Sequence, residues 1–361
     1  MFRWGIIGTG FVARKFVLGL RQSNGGTATL VYSRTEANGR NFAKAFGISK
    51  VAANLEAAAL SPEVDGFYIC TPPSAHRGHA IACMSTGKAV LVEKPFASCR
   101  ADAEAIAQAA RSARAFCMEA MWTRYLPLLA ELRAKVRSEA IGSPRSLCGS
   151  FGASVVPEPS ENLFNPDLGG GALLHRGIYP LAMAIDLLGP AELVASAATR
   201  GTTGVDEDCV LILRHDNGAL STVRASLRAP LGTDLTIEGT RGAIHVLAPI
   251  YRPFQLKLTK VEPANRTGSS APRFEAIREG TLSQTAQQRL RSFVHLLCRG
   301  ATQTITRTYR GNGYHYEADE VMHCVRRGLA ESDLMPLSQS VAMAALMDQA
   351  RASWGDQTKP A

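Results

Sequence analysis

Gly5-Ile6-Ile7-Gly8-Thr9-Gly10-Phe11-Val12-Ala13 is the stretch that decides the fold. The apolar run Phe2–Ile7 reads as a short strand, Gly8–Gly10 as a tight turn, and Phe11–Gln22 has helical spacing. In a strand–turn–helix unit of this kind, the first glycine permits the turn and the second lets the backbone approach a pyrophosphate. A small third residue, here Ala13, allows the helix to pack close on the strand. The helix amino terminus then offers unpaired N–H groups and a partial positive charge to the phosphates. The motif predicts a dinucleotide site built by Gly8, Thr9, Gly10, Phe11 and Val12.

Working outward, strands and helices alternate: strand Thr27–Ser33, helix Glu36–Phe46 stopped at Gly47, strand Gly66–Cys70, helix Ser74–Thr86, strand Ala89–Val92 and an Ala-rich helix Ser98–Arg114. Such alternation implies parallel β-α-β units. The first domain is expected to cover residues 1–121, as a Rossmann dinucleotide-binding domain. Over residues 122–361 the pattern changes. Leu147–Val155, Leu193–Thr199, Cys209–Arg214, Ala219–Leu227, Thr233–Glu238, Gly242–Leu247 and Gln255–Lys260 read as strands. Several are separated by hairpin signals such as Asp216-Asn217-Gly218. This predicts a second α/β domain with a large, mostly antiparallel open sheet. One long helix, Ala172–Leu188, interrupts the strands and stops at Gly189-Pro190. Pro263–Pro272 reads as a polar loop, and helices return at Gln284–Arg299, Tyr314–Arg327 and Ser338–Trp354.

Composition sets bounds on function. With 46% hydrophobic and 20% charged residues the chain is of globular type, and no apolar run approaches a membrane span. The fold starts at Phe2, so no signal peptide is expected and the cytoplasm is the expected compartment. The eight cysteines form no C-x-x-C pair and read as small buried thiols, with no metal site. The net charge of +9 is spread over the chain and aromatics are only 7%, which argues against nucleic acid as a partner.

The tip of the second strand selects the cofactor. An acid there would bind the ribose 2′-hydroxyl of NAD; this chain has Val31-Tyr32-Ser33-Arg34-Thr35. Ser33 can donate a hydrogen bond and Arg34 can pair with a 2′-phosphate, so NADP is expected over NAD. A solvated Arg34 in a permissive enzyme is the competing reading. The breaker Thr71-Pro72-Pro73 follows an apolar strand, where such a loop can line the nicotinamide ribose, and His76 lies one helical turn beyond it.

Two segments carry chemistry. Ala89-Val90-Leu91-Val92-Glu93-Lys94-Pro95 delivers Lys94 to the carboxyl end of a strand, where open α/β sheets bind ligands. Hydride transfer at a carbon bearing oxygen requires one proton to move at that oxygen. A partly buried lysine, its pKa lowered by desolvation, suits that task; a surface salt bridge with Glu93 is the plainer alternative. In Asp167-Leu168-Gly169-Gly170-Gly171-Ala172-Leu173-Leu174-His175-Arg176-Gly177-Ile178-Tyr179-Pro180, three glycines allow close backbone approach at a helix start. There His175 and Tyr179, four apart, share a helical face.

These segments resemble the Gfo/Idh/MocA oxidoreductase family through GIIGTGFVA, TPPSAH, VLVEKPFA, MEAMWTRYLP, GGGALLHRGIYPLAMAIDLLG and the late GNGYHYEADEV. The Trp-Thr-Arg and Gly-Tyr-x-Tyr-Glu-Ala versions are similar to those of the dihydrodiol dehydrogenase and NADP-dependent xylose dehydrogenase branch. The resemblance implies an NAD(P) cofactor, a sugar, cyclitol or related alcohol as substrate, and a homodimer formed through the open sheet. It implies that Lys94 polarises the reacting oxygen, that Tyr179 passes the proton, and that Trp122 and Arg124 line the nicotinamide and substrate region. Glu93 belongs to the same cofactor-lining set. The family usually has Asp where this chain has His175. That departure leaves two expectations: an NADP-dependent dehydrogenase in which His175, able to titrate near neutrality, joins the acid–base work, or a cofactor-binding regulator that has lost activity.

Overall fold

The computed structural model describes residues 1–261 and 302–355. Its first sheet has six parallel strands in the order β3-β2-β1-β4-β5-β6. Here β1 is Phe2–Ile7, β2 Gly26–Tyr32, β3 Lys50–Val51, β4 Gly66–Ile69, β5 Ala89–Glu93 and β6 Cys117–Ala120. The helices between them are α1 (Phe11–Leu20), α2 (Glu36–Phe46), α3 (Leu55–Ala59), α4 (Pro73–Met84) and α5 (Arg100–Ala113). β4 and β5 are buried along their whole length, as near-continuous apolar runs must be when helices cover both faces of a parallel sheet. Trp4, Phe16 and Tyr68 fill one side of it, Phe16 and Tyr68 stacking with centroids 3.8 Å apart.

The strand order reverses between β1 and β4, which opens a crevice at the carboxyl ends of these strands and fixes where a ligand can lie. The turn after β1 and the ends of β4 and β5 all meet there.

The second sheet has eight strands in the order β14-β13-β12-β11-β7-β10-β9-β8. These are β7 (Pro144–Gly152), β8 (Ala191–Arg200), β9 (Asp206–His215), β10 (Leu220–Ser226), β11 (Leu235–Gly239), β12 (Gly242–Val246), β13 (Gln255–Lys260) and β14 (Thr302–Thr306). Neighbours pair antiparallel except β10 with β7. That pair is parallel because the chain crosses over through a helix and a hairpin between them. The Asp216-Asn217-Gly218 turn joins β9 to β10, with Gly218 at φ 78°, a left-handed value that favours glycine.

Helix α6 (Pro127–Arg137) leads into this sheet, and α7 (Ile178–Leu188) lies on one face of it. Only Asp186 of α7 is not fully buried. α7 approaches so closely that a Cβ at Gly149 would sit 2.7 Å from Pro180 Cβ. Arg133 of α6 pairs with Asp186 at 2.8 Å, both side chains one-tenth exposed, and so ties the two helices together. The opposite face runs through Ile212, Thr222, Cys148, Thr236 and His245 on adjacent strands, all exposed or half-exposed.

After β14 the chain returns to the first domain. α8 (His315–Arg326) packs on α1, and α9 (Leu337–Ser353) on α5. Asn312 donates to the Lys15 carbonyl at 2.7 Å, and the Asn24 amide group binds Asp319. The expected boundary at residue 121 thus marks where the first sheet ends, while the last two helices span both parts.

Several elements are absent from the sequence reading. β3, α3, β6, α6 and β14 carry no strong periodic signal. The expected helix Ala172–Leu188 is not uniform: Leu173–Gly177 is a wide π-helical turn in which Ile178 N–H donates to Leu173 O. Pro180 has no N–H for the carbonyls four and five residues back, Arg176 and His175, and a proline ring crowds an ordinary α-turn, so the turn widens. The Pro263–Pro272 loop and the Gln284–Arg299 helix lie outside the described residues.

Candidate active site

The glycine turn is built as its sequence requires. Gly8 has φ 113°, and a Cβ there would meet the Cys70 carbonyl oxygen at 2.8 Å. A Cβ on Gly10 would meet nothing within 4 Å, so open space lies where a pyrophosphate would go. Gly10 caps α1 without any side-chain cap, which leaves first-turn N–H groups free for phosphate oxygens. Phe11 is 72% exposed beside them. These features fit a dinucleotide.

At the end of β2 the Ser33 and Thr9 hydroxyls lie 3.3 Å apart, and Gly8 N–H donates to Tyr32 O at 2.9 Å. Arg34 is exposed at the same tip. A cavity of about 460 Å³ beside Thr9 is lined by Arg14, Asn38 and Asn41 among others. Arg14 and Asn38, in the first turns of α1 and α2, escaped the sequence reading because they belong to no motif.

Lys94 follows β5. Its ammonium donates to the His175 carbonyl at 3.2 Å and lies 5.1 Å from the centroid of the Tyr179 ring. The π-turn explains the acceptor: with Pro180 five residues on, the His175 carbonyl has no wide-turn donor. Burial pushes the Lys94 pKa down, while Glu93 opposes that fall. Glu93 itself is turned inward. Its carboxylate accepts from the Tyr68 hydroxyl at 2.5 Å and from Lys94 N–H at 3.0 Å. It holds the Lys94 backbone and has no free oxygen aimed at the crevice.

Tyr179 is buried, and its hydroxyl accepts a long 3.4 Å hydrogen bond from Trp122 Nε1. Burial drives its pKa upward, so it stays a protonated donor. Trp122 stacks on Tyr314 at 4.7 Å, and Tyr179 also meets Phe151 and Tyr251, at 5.5 and 6.2 Å. Phe151 and Tyr251 stack with centroids 5.1 Å apart. Phe151, Tyr251, Tyr314 and Arg176 are site residues that sequence reasoning missed. Arg176 adjoins His175 and could have been flagged; Phe151 and Tyr251 come from sheet and loop positions with no motif.

His175 corrects one expectation. Its Nε2 lies 3.1 Å from the Gly169 carbonyl, which only accepts, so Nε2 carries the proton and Nδ1 is left as an acceptor. Burial first, then the Lys94 ammonium, push its pKa down to about 3. The imidazole is neutral throughout the physiological range and does not titrate near neutrality.

Two more expected cofactor-lining residues have their polar groups committed to protein. His76 is buried with its ring nitrogens 3.0 and 2.8 Å from the carbonyls of Pro95 and Thr71. Burial lowers its pKa to about 4, and both partners are carbonyls, so the neutral ring donates to only one of them, either the Thr71 loop or the Lys94 loop. Arg124 is 1% exposed. Its guanidinium donates to the carbonyls of Leu334 and Ala182 and to Gln339. Through its two terminal nitrogens it clamps the second domain to the returning C-terminal segment, while the buried Nε has no partner among the described residues. The Glu317 carboxyl on α8 is fully buried, and neither oxygen has a partner among the described residues. Burial raises its pKa well above the usual carboxylate range, so it is an uncharged acid.

Among the described residues, no group of His, Cys, Asp and Glu could hold a metal ion, and no helix is long and apolar enough to cross a membrane.

Comparison with known proteins agrees with this geometry. The GFO/IDH/MocA model described as "Oxidoreductase family, NAD-binding Rossmann fold" matches residues 2–121, and the GFO/IDH/MocA C-terminal domain matches residues 129–245. A trans-1,2-dihydrobenzene-1,2-diol dehydrogenase of Danio rerio is 30% identical, the match covering 98% of this chain and 97% of that one. The D-xylose 1-dehydrogenase (NADP(+)) of Hypocrea jecorina is 28% identical over 80% of this chain and 72% of its own. In fold, the chain is similar to KijD10, a 3-ketoreductase from Actinomadura kijaniata solved with NADP and TDP-benzene. That structure has a TM-score of 0.77 and 20% identity, with 97% of each chain covered. The chain belongs to the GFO/IDH/MocA oxidoreductase family, NAD(P)-dependent enzymes that act on alcohol groups.

Proposed function

We propose that this protein is an NADP-dependent dehydrogenase of a sugar, cyclitol or cyclic diol. The observation that carries the reading is the approach of the Lys94 ammonium to the Tyr179 ring beside the glycine turn. Bound NADP supplies the hydride acceptor or donor. The chain's own residues handle the proton and the orientation. Lys94, with a pKa lowered by burial, exchanges a proton with the reacting oxygen more readily than an ordinary lysine. Tyr179 keeps its proton and donates a hydrogen bond to that oxygen, its ring held by Trp122 and Phe151. His175 offers Nδ1 as acceptor for a neighbouring hydroxyl. The stacked Phe151 and Tyr251 rings suit the apolar face of a cyclic substrate.

NADP over NAD rests on Ser33 and Arg34 at the tip of β2 and on Arg14 facing the adjoining cavity. Each supplies a donor or cation for a 2′-phosphate, and none supplies the acid that a free 2′-hydroxyl favours. Catalysis, rather than a purely regulatory role, is supported by the presence of Lys94 for proton exchange and of the Tyr179 hydroxyl as hydrogen-bond donor, with His175 where the family resemblance implies Asp. Pairing of two chains through the open sheet face is the assembly we expect, since its exposed side includes Cys148 on the inner strand β7 and Ile212 on β9. The seven cysteines among the described residues are unpaired, which suits a reducing compartment such as the cytoplasm.

The test is turnover of a panel of aldoses, cyclitols and cyclic diols followed by cofactor absorbance, with NADPH binding measured separately by fluorescence. Lys94→Ala is expected to lose turnover by about 100-fold or more while NADPH still binds. Full activity in that variant would remove the assignment.

A further inference from the structure

Among the described residues, Arg176 is a cation in this site without a counter-ion. Its guanidinium is half-buried and lies 4.6 Å from the centroid of the Phe151 ring. Its titratable neighbours are two phenols, Tyr179 and Tyr251, which carry no charge while protonated, and no carboxylate is among them. A second guanidinium, that of Arg252, sits 5.5 Å over the Tyr251 ring. Phe151 and Tyr251 are themselves stacked nearly parallel, at 16°. The result is a two-ring platform with an arginine at each ring and the Lys94 ammonium a short distance below, beside Tyr179.

Among the described residues, the buried acids that favour the Lys94 charge, Glu93 and Glu119, do not bear on Arg176. Glu93 is held by Tyr68 and the Lys94 backbone, and Asp206 accepts the Leu173 N–H at 2.7 Å. Glu317 is uncharged. A half-buried cation gives up hydration, and an unpaired one recovers little of that cost. An aliphatic side chain would cover Phe151 equally well. What a guanidinium adds is planar, two-pronged recognition of an oxyanion.

We propose that the substrate carries an anionic group, carboxylate or phosphate, away from its reacting hydroxyl. Arg176, with Arg252, receives that group while the Phe151–Tyr251 platform takes the ring. This deepens the dehydrogenase reading of the preceding subsection and rests on it.

The experiment compares matched substrates with NADP: D-glucuronate and D-galacturonate for carboxylates, D-glucose 6-phosphate for phosphate, and D-glucose and D-galactose as neutral partners. One charged set is expected to exceed its neutral partner in kcat/KM by about tenfold or more, which also identifies the anion. Arg176→Met is expected to raise KM for the charged substrate about 30-fold more than for its neutral partner, with kcat little changed, because the lost contact is made in ground and transition states alike. Arg176→Lys should recover part of that difference. NADPH binding and circular dichroism establish that each variant is folded. Equal turnover of charged and neutral sugars, or an equal effect of Arg176→Met on both, overturns this inference and leaves the dehydrogenase reading standing. No turnover of any substrate by NADP-bound protein overturns both.

Discussion

The Lys94 ammonium donates to the backbone carbonyl of His175, across 81 residues of chain, at 3.2 Å. The contact joins the end of a Rossmann strand to the π-turn of the second domain, so the two domains meet at the group assigned to proton transfer. It also holds the amine where burial lowers its pKa.

A pH profile follows from that burial. In the oxidation direction the neutral amine is the active form, so kcat/KM should rise with pH along a limb lying below the ordinary lysine range. Lys94→Arg, which stays protonated, should abolish the limb along with most activity. His175→Asp would place a carboxylate beside the ammonium and stabilise its charge. The limb should then move towards alkali by about one pH unit or more. An unmoved limb in His175→Asp would mean that Lys94 is not the titrating group.

Tyr179→Phe removes one hydroxyl whose only hydrogen bond among the described residues is the 3.4 Å contact from Trp122. Stability should change by no more than about 1 kcal/mol in chemical denaturation. Turnover should fall by roughly 100-fold or more, with a smaller change in KM. A variant that keeps its rate would reassign the donor.

Arg34→Ala tests the choice of cofactor. Loss of a charge-assisted contact to the 2′-phosphate should weaken NADP binding by about 10- to 100-fold. NAD, lacking that phosphate, should be affected far less. Equal weakening of the two cofactors, measured by calorimetry, would make Arg34 a general surface cation.

Arg124→Met addresses a residue first associated with the nicotinamide region. Its guanidinium donates to Leu334 O, Ala182 O and Gln339, all inside the protein. The substitution should cost about 3 kcal/mol or more in denaturant unfolding, because charged donors are lost and buried acceptors are left bare. The affinity of the folded variant for NADP should stay close to the parent's. A selective loss of cofactor binding at unchanged stability would restore the earlier assignment.

Much of this molecule could be read from its residues. The parallel sheet was legible because buried strands between helices are apolar runs with glycine and proline punctuation, as in Ala89–Glu93 and at Thr71-Pro72-Pro73. The Asp216-Asn217-Gly218 hairpin was legible because its turn requires a left-handed residue. Elements without such signals were missed: β3 is only two residues long, and α6 starts at a proline with no acidic first turn.

Sequence alone determined the dinucleotide turn and a parallel sheet followed by an antiparallel one, because local backbone chemistry suffices for these; attention to Tyr179 came from the family resemblance. Only the tertiary structure decided where polar groups spend their hydrogen bonds. Glu93, His76 and Arg124 proved to be bound to protein partners distant in the chain. His175 became a neutral acceptor through burial beside a cation. Phe151, Tyr251 and Arg176 gathered from separate elements into one wall. Desolvation and long-range pairing belong to three-dimensional neighbours, and no local pattern encodes them.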